Sequence, residues 1–137
     1  MMSPHPRQHP LHAAHHFHHA ALGKLLHHFL CLLELIQVES GFRKYAVSSA
    51  GARGYMQIMP FWVKLIGNQD SNLFHLRTNL RFGCTILRHY LDIEKGDLYR
   101  ALGRYNGSLG KPEYPNMVRG AWEGRWGWRP RVMQATR

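Results

Sequence analysis

The chain has 137 residues, of which 45% are hydrophobic, and its formal net charge is +10. This length suits one domain with a substantial core, and the composition excludes a wholly disordered chain. The sequence has no run of about 18 uncharged apolar residues, which excludes a membrane-spanning helix, and its two cysteines are too few for a disulfide scaffold or a cysteine-built zinc site.

The first 28 residues differ from the rest of the chain. They hold nine of the 11 histidines and no Asp or Glu, whereas residues 29–137 carry 16 basic and eight acidic residues. We interpret residues 1–28 as a flexible His-rich leader without a recognisable signal peptide. The histidines lack a fixed spacing and an acidic partner, so we expect no metal site there and no cofactor elsewhere.

The apolar residues predict helices along the remaining chain. A first helix is predicted over residues 22–38 and ends before Gly41, and a Gly- and Ser-rich loop follows over 41–55. A short helix is predicted around residues 56–66, and Pro60 is either tolerated near its start or breaks it.

Two further helices and a shorter one are predicted in the second half. An apolar stripe indicates a helix over 78–95; it consists of Leu76, Leu80, Cys84, Leu87 and Leu91. Asp97 is a candidate N-cap for a helix over 98–105 that ends at Asn106-Gly107. A last helix is predicted within 113–128, with Met117, Val118, Ala121 and Trp122 on one face.

The fold class follows from these elements. No alternating strand pattern of any length is present, so we predict a mainly α protein, a single domain of about five or six helices over residues 29–128. Residues 129–137 form a basic tail. Cys31 and Cys84 are more simply explained as two separate thiols than as one disulfide.

Glu39 is the first candidate for chemistry. It stands at the C-terminal end of an apolar helix, where the helix dipole and an apolar wall both raise the pKa of a carboxyl group. A raised pKa suits a general acid near neutral pH. Glu34 is about 140° away around the helix, so it does not form a pair with Glu39. The alternative is an exposed glutamate at a helix end.

Four sequence blocks resemble the lytic transglycosylase SLT domain. They are ESGF at 39–42 with AVS at 46–48, GARGYMQIMP at 51–60, NLRFGC at 79–84 with Leu87 and Tyr90-Leu91, and ALGRYNGS at 101–108. Tyr114 and Val118 also resemble the closing Tyr-x-x-x-Val segment of that family. The blocks occur in the family's order and cover roughly residues 32–128.

This resemblance implies a lysozyme-like α fold and cleavage of the MurNAc–GlcNAc bond of peptidoglycan without water. It implies that Glu39 is the acid and then the base, and that the product carries a 1,6-anhydromuramyl end. It further implies that Ser48 is a polar residue near the N-acetyl group or the catalytic carboxyl, and that Gln57 and Met59 line the sugar cleft. The Tyr105 hydroxyl would orient Glu39, and Asn106 would contact the sugar or fix the loop. Taken singly, Ser48 is equally a turn residue, Tyr105 a packing residue and Met59 a core residue.

Three functional classes stay open at this stage. The first is an active transglycosylase of the periplasm or cell envelope, which we expect to be a monomer acting on peptidoglycan strands. The second is a catalytically impaired or non-catalytic peptidoglycan-binding domain, produced by a truncated or frame-disrupted N-terminus. The third, a nucleic-acid binder, rests only on the sequence pI of about 10.2 and has no recognition motif, so we expect no nucleic-acid partner.

Overall fold

The computed structural model describes residues 28–125, apart from the side chains of residues 122, 123 and 125. The chain divides into two units, Met1–Leu30 and Cys31–Arg137, and the second contains the elements described below except residues 28–30 of the first helix. The predicted leader (except residue 28), the predicted basic tail, the start of the first predicted helix and the Trp122 side chain lie outside the described residues.

Five helices make up most of the described chain. They are α1 at residues 28–40, α2 at Phe61–Ile66, α3 at Leu76–Ile93, α4 at Leu98–Asn106 and α5 at Glu113–Arg125. The described β structure is limited to two isolated bridges, Val47 with Arg53 and Arg53 with Ile58. The prediction of a mainly α protein is therefore confirmed.

Helix α1 ends in a sharp turn that begins the loop. The Gly41 amide donates to the Gln37 carbonyl at 3.0 Å, and the buried Ser40 hydroxyl donates to the Ile36 carbonyl at 3.2 Å. Gly41 and Phe42 both have left-handed backbone, with φ of 60° and 62°. Glycine adopts this conformation without strain, which explains why the helix ends at the predicted glycine.

Helix α2 is shorter than predicted, because Pro60 marks a break. The helix begins at Phe61 with Pro60 at its N-cap, and residues 54–57 form a turn before it. The amides of Arg53 and Ile58 each donate to the other's carbonyl at 3.0 Å, which closes that turn. A proline has no amide hydrogen for the helical ladder, so it stands where none is required.

The buried face of α3 follows the predicted apolar stripe only in part: Leu80 and Leu87 pack against the core, half-buried, but the fully buried positions are others. The buried residues of α3 are Asn79, Phe82, Gly83 and Ile86. Leu76 and Cys84 are exposed instead. The predicted face was incomplete because Asn79, a polar residue, and Gly83, a glycine, occupy two core positions. Hydrophobic periodicity counts neither residue type.

Helix α4 has the predicted ends. The Asp97 carboxylate accepts from the Arg100 amide at 3.0 Å, and Gly107 ends the helix in the left-handed conformation with φ of 74°. Helix α4 packs against both α3 and α5. The Glu94 carboxylate at the end of α3 also accepts hydrogen bonds from the Nε atoms of Arg100 and Arg104, which joins the two helices.

Helix α5 buries a face that matches the predicted one only in part, at Val118. Tyr114, Pro115 and Val118 are buried, whereas Met117 is exposed. Pro115 is tolerated because it stands in the first helical turn, where its missing amide hydrogen costs no hydrogen bond.

The core lies where α1, α3, α4, α5 and the loop after α1 meet. Its buried members are Leu35, Ile36, Met56, Ile58, Leu73, Phe82, Ile86, Leu102, Tyr114 and Val118. Burial of these side chains holds the loop against the helices, because each fully buried large apolar side chain contributes roughly 1.5–3 kcal/mol. Both cysteines are free thiols, Cys31 buried and Cys84 exposed.

Candidate active site

An open cleft of about 670 Å³ lies beside the end of α1. The lining residues come from α1 and from the loop that follows it: Glu39, Arg43, Lys44, Tyr45, Ala46, Val47, Ser48 and Gln57. Three of the predicted site residues, Glu39, Ser48 and Gln57, therefore lie on one cavity.

Glu39 is the one carboxylate among the residues that line this cleft. Burial raises the pKa of Glu39 to about 7, and a hydrogen bond from Tyr114 opposes that rise in pKa. The Tyr114 hydroxyl donates to the Glu39 Oε1 atom. The pKa is thus shifted in the direction predicted from the sequence, and near neutral pH the group can exist in both protonation states.

Glu34 is separate from this carboxylate, as the helical spacing predicted. Its side chain is buried, but Glu34 does not line the cleft. The negative charge of Glu34 contributes to raising the pKa of the Cys31 thiol, after burial, to about 11. The cleft lining therefore offers a single carboxyl group for proton transfer.

Ser48 both lines the cleft and holds the loop. Its hydroxyl oxygen accepts from the Ala52 amide at 3.0 Å, and its own amide donates to the Ala52 carbonyl at 3.0 Å. The Gly51 amide donates to the Ser48 carbonyl at 2.9 Å. The turn role and the cleft position of Ser48, which were alternatives from sequence, coexist.

Gln57 has a left-handed backbone and a firmly oriented side chain. Its φ is 53°, and its Nε2 atom donates to the Ala46 carbonyl at 3.2 Å and the Gly54 carbonyl at 3.0 Å. Both partners are carbonyl oxygens, so the amide nitrogen must face them. The Oε1 atom then faces the opposite way as an acceptor.

Asn79 on α3 holds the loop that carries Gln57. This side chain is fully buried; its Oδ1 accepts from the Met56 amide at 2.8 Å, and its Nδ2 donates to the carbonyls of Arg53 at 2.9 Å and Leu73 at 2.7 Å. A Cβ at Gly54 would lie 2.4 Å from the Asn79 Nδ2 atom, so only glycine fits there. Asn79 begins the NLRFGC block at 79–84, but the sequence alone indicated no role for its side chain.

Tyr105 does not make the hydrogen bond that was expected of it. Its hydroxyl donates to the Met56 carbonyl at 2.8 Å, and Tyr114 donates to Glu39 instead. The Glu39 charge does contribute to raising the pKa of Tyr105, so the two groups are electrostatically coupled. The hydroxyl that orients Glu39 is that of Tyr114, in the closing Tyr-x-x-x-Val segment, for which no role was predicted.

Met59 and Asn106 are not among the residues that line the cleft. Met59 is half-buried, and the exposed Asn106 donates through its Nδ2 atom to the Ser108 hydroxyl at 2.9 Å. Asn106 therefore fixes the turn after α4, which was one of its two predicted roles. The described side chains include no group of three or more His, Cys, Asp or Glu that could hold a metal ion.

Comparisons with known proteins agree with the sequence motifs. The family model of the transglycosylase SLT domain matches residues 24–116. The crystal structure of the 70 kDa soluble lytic transglycosylase from Escherichia coli is similar to this chain, with a TM-score of 0.52 and 25% sequence identity. The similarity covers 70% of this chain but 16% of that chain, so the matched region is a small part of the E. coli protein. The structural match supports the predicted lysozyme-like fold.

Proposed function

The chain belongs to the transglycosylase SLT domain family, and from this premise we propose that it is a lytic transglycosylase of the cell envelope. Its substrate would be peptidoglycan, cut at the β-1,4 bond between MurNAc and GlcNAc. Among the residues that the structure describes, no helix is long and apolar enough to cross a membrane.

The observation that carries this proposal is the environment of Glu39. Of the described residues that line the cleft it alone carries a carboxyl group, and its pKa is raised to about 7 by burial. A glycosidase that uses two carboxyl groups would place both beside the scissile bond. A single group that exchanges one proton fits a reaction in which the substrate supplies the nucleophile.

The first step is proton donation. The protonated Glu39 carboxyl gives its proton to the glycosidic oxygen, and the bond between that oxygen and C1 of the muramyl sugar breaks. The GlcNAc alcohol leaves with the bonding electron pair, and positive charge develops at C1. The carbonyl oxygen of the sugar's own N-acetyl group stabilises that charge, which replaces the second enzyme carboxylate.

The second step returns the proton to the enzyme. The Glu39 carboxylate removes the proton from the C6 hydroxyl of the same muramyl sugar, and the C6 oxygen attacks C1 to close the 1,6-anhydro ring. Tyr114 stabilises the carboxylate between the two steps, because its hydroxyl donates to Oε1. No water is consumed, and Glu39 ends in its starting protonation state.

The remaining residues bind or support the cleft. We propose that Ser48 and Gln57 contact the sugar, since both line the cavity with Glu39. Met59 and Asn106 act at most at the ends of the binding surface, because neither lines this cavity. Tyr105 supports the cleft indirectly, because its hydroxyl donates to the Met56 carbonyl and so holds the backbone next to Gln57.

Mass spectrometry of purified peptidoglycan sacculi tests the proposal. We expect the protein to release fragments with 1,6-anhydromuramyl ends and Glu39→Gln to release none. Asp92→Asn is the matched control, because it also removes one carboxylate but lies on the exposed face of α3 in an ion pair with Arg88. Reducing ends instead of anhydro ends would indicate hydrolysis and contradict the proposed mechanism. Binding to sacculi without any release would favour the non-catalytic alternative.

A further inference from the structure

The cleft contains two cations that the proposed chemistry does not use. Arg43 and Lys44 line it together with Glu39, and they follow the left-handed turn at Gly41 and Phe42. This turn brings Arg43 back over the end of α1, where its Nε atom donates to the Ser40 carbonyl at 2.9 Å. The guanidinium is thus anchored through one nitrogen at the edge of the cleft.

Neither cation has a carboxylate partner among the side chains that the structure describes. The ion pairs of these side chains join Arg88 to Asp92 and Glu94 to Arg100 and Arg104. Lys44 lies over the ring of Tyr45, with 5.2 Å between Nζ and the ring centroid, and this contact leaves its charge uncompensated. The two terminal nitrogens of Arg43 form the fork that matches a carboxylate.

These cations do not serve to lower the pKa of Glu39. The causes that act on the pKa of Glu39 are its burial and the hydrogen bond from Tyr114. Arg43 and Lys44 therefore share a cavity with Glu39 without forming its ion pair. A pair of uncompensated cations beside a reacting group is available for an anionic part of the substrate.

We infer that Arg43 and Lys44 form a carboxylate subsite that binds the acidic peptide attached to the muramyl sugar of the strand being cut. This inference rests on the proposed function and names the substrate more closely. The N-acetylated sugar rings are neutral, and the lactyl carboxyl becomes an amide once a peptide is attached. The remaining carboxylates of such a strand therefore belong to its peptide.

The experiment compares two substrates that differ only in charge. One is a soluble glycan strand with its peptides; the other is the same strand after its carboxylates are converted to carboxamides. We expect kcat/KM to be higher on the acidic strand, and Arg43→Gln and Lys44→Gln each to reduce this preference about tenfold, the effect of roughly one charge-assisted hydrogen bond. The rate on the amidated strand should fall by much less than the rate on the acidic strand, and added salt should reduce the preference.

Two surface variants control for net charge. Arg77→Gln and Lys111→Gln remove the same charges from exposed positions that do not line the cleft, so they should retain the preference. Arg43→Gln could disturb the turn, so Lys44→Gln is the second test, because the Lys44 side chain donates no hydrogen bond to the loop. The thermal unfolding midpoint of Lys44→Gln should match the parent's. Equal rates of the parent on both strands would overturn the inference, as would variants that slow both substrates equally.

The source of the carboxylate is also tested. Strands freed of peptide carry a lactyl carboxylate on the sugar itself. If those strands are preferred over the amidated strand as strongly as the peptide-bearing strand is, the peptide assignment is overturned. Binding of all three strands to Glu39→Gln, measured by calorimetry, reports on the subsite without catalysis. Failure of the proposed function, seen as no Glu39-dependent cleavage, is thus distinguishable from failure of the subsite.

Discussion

The cleft at the end of α1 and the corner between α3 and α4 each contain a carboxylate, in opposite surroundings. In the cleft, Glu39 receives one hydrogen bond from a neutral hydroxyl and has its pKa raised to about 7 by burial. At the corner, Glu94 accepts hydrogen bonds from two arginines, and these lower its pKa.

The difference shows how partners decide what a carboxylate does. Two guanidinium partners keep Glu94 ionised, so it joins helices and exchanges no proton near neutral pH. A neutral donor and burial leave Glu39 near the balance between its two forms, although Arg43 lies on the same cleft. Proton transfer requires the second arrangement, and a structural ion pair requires the first.

The largest effect is expected from Asn79→Ala, which removes the support beneath the cleft but leaves the corner intact. The amide of Met56 and the carbonyls of Arg53 and Leu73 would each lose a buried partner. We expect the free energy of unfolding to fall by about 3 kcal/mol or more, measured by urea denaturation. Asn72→Ala is the control, because the exposed Asn72 caps a single amide, that of Phe74, and should cost about 1 kcal/mol or less. Equal losses in both variants would contradict the role of Asn79.

The next effect separates the two carboxylates by their dependence on pH. The pKa of Glu39 is higher in the folded protein than its ordinary value of 4.5, so folding is weakened as pH rises through about 7. Glu39→Gln removes this penalty and should stabilise the fold by up to about 3 kcal/mol at pH 8, with little change at pH 4. Thermal unfolding across this pH range measures the difference. A Glu39→Gln variant that is less stable than the parent at pH 8 would contradict the expected cost of burying the ionised carboxylate.

A smaller effect is expected from Tyr114→Phe, which removes the single donor to Glu39. The hydrogen bond favours the ionised carboxyl, so its loss should raise the pKa of Glu39 further. Because the reaction begins with the protonated group, kcat/KM should decline above about pH 7 in the parent and at higher pH in the variant. Maximal activity should fall about tenfold, as the carboxylate of the second step loses its donor. Tyr99→Phe is the control, since the Tyr99 hydroxyl bonds to Pro112 and Asn116 instead; an unshifted pH profile for Tyr114→Phe would contradict its role.

The smallest effect concerns Glu94→Gln at the corner. The arginines lower the pKa of Glu94 in the folded protein, so its contribution to stability is present above the ordinary pKa and is lost as pH falls through the lowered value. The variant should therefore be less stable than the parent at neutral pH and should lose less of its stability on acidification. Chemical denaturation at pH 7 and pH 3 measures this, and the pH–rate profile should retain its shape. A changed profile would show that corner and cleft are coupled.

The helix ends were predictable because they depend on neighbouring residues. Asp97 caps α4 through the amide three positions later, and Gly107 ends it with the backbone conformation that glycine favours. The end of α1 near Gly41 follows from the same rule. The sequence left open whether Pro60 is tolerated near the start of the short helix or breaks it, and only the structure places Pro60 at the N-cap.

The partners across the site could not be predicted in this way. Tyr105 and Tyr114 both end with hydroxyls near Glu39, and only their packing decides that Tyr114 makes the hydrogen bond. The buried face of α3 was misjudged for a related reason. Asn79 is a core residue because it accepts a hydrogen bond from the Met56 amide, and Gly83 is one because the Met56 side chain packs where a Cβ would lie. Hydrophobic periodicity does not record such contacts.

The sequence by itself determined the helical class, the ends of α1 and α4, and Glu39 as the candidate acid, because these depend on nearby residues and recognisable motifs. Only the tertiary structure decided how strongly Glu39 is desolvated, which tyrosine orients it, and that two cations share its cleft without pairing with it. Burial and hydrogen bonding between residues as distant as Glu39 and Tyr114 arise when the helices pack. The chemistry of the site therefore depends on contacts that the linear order of residues does not contain.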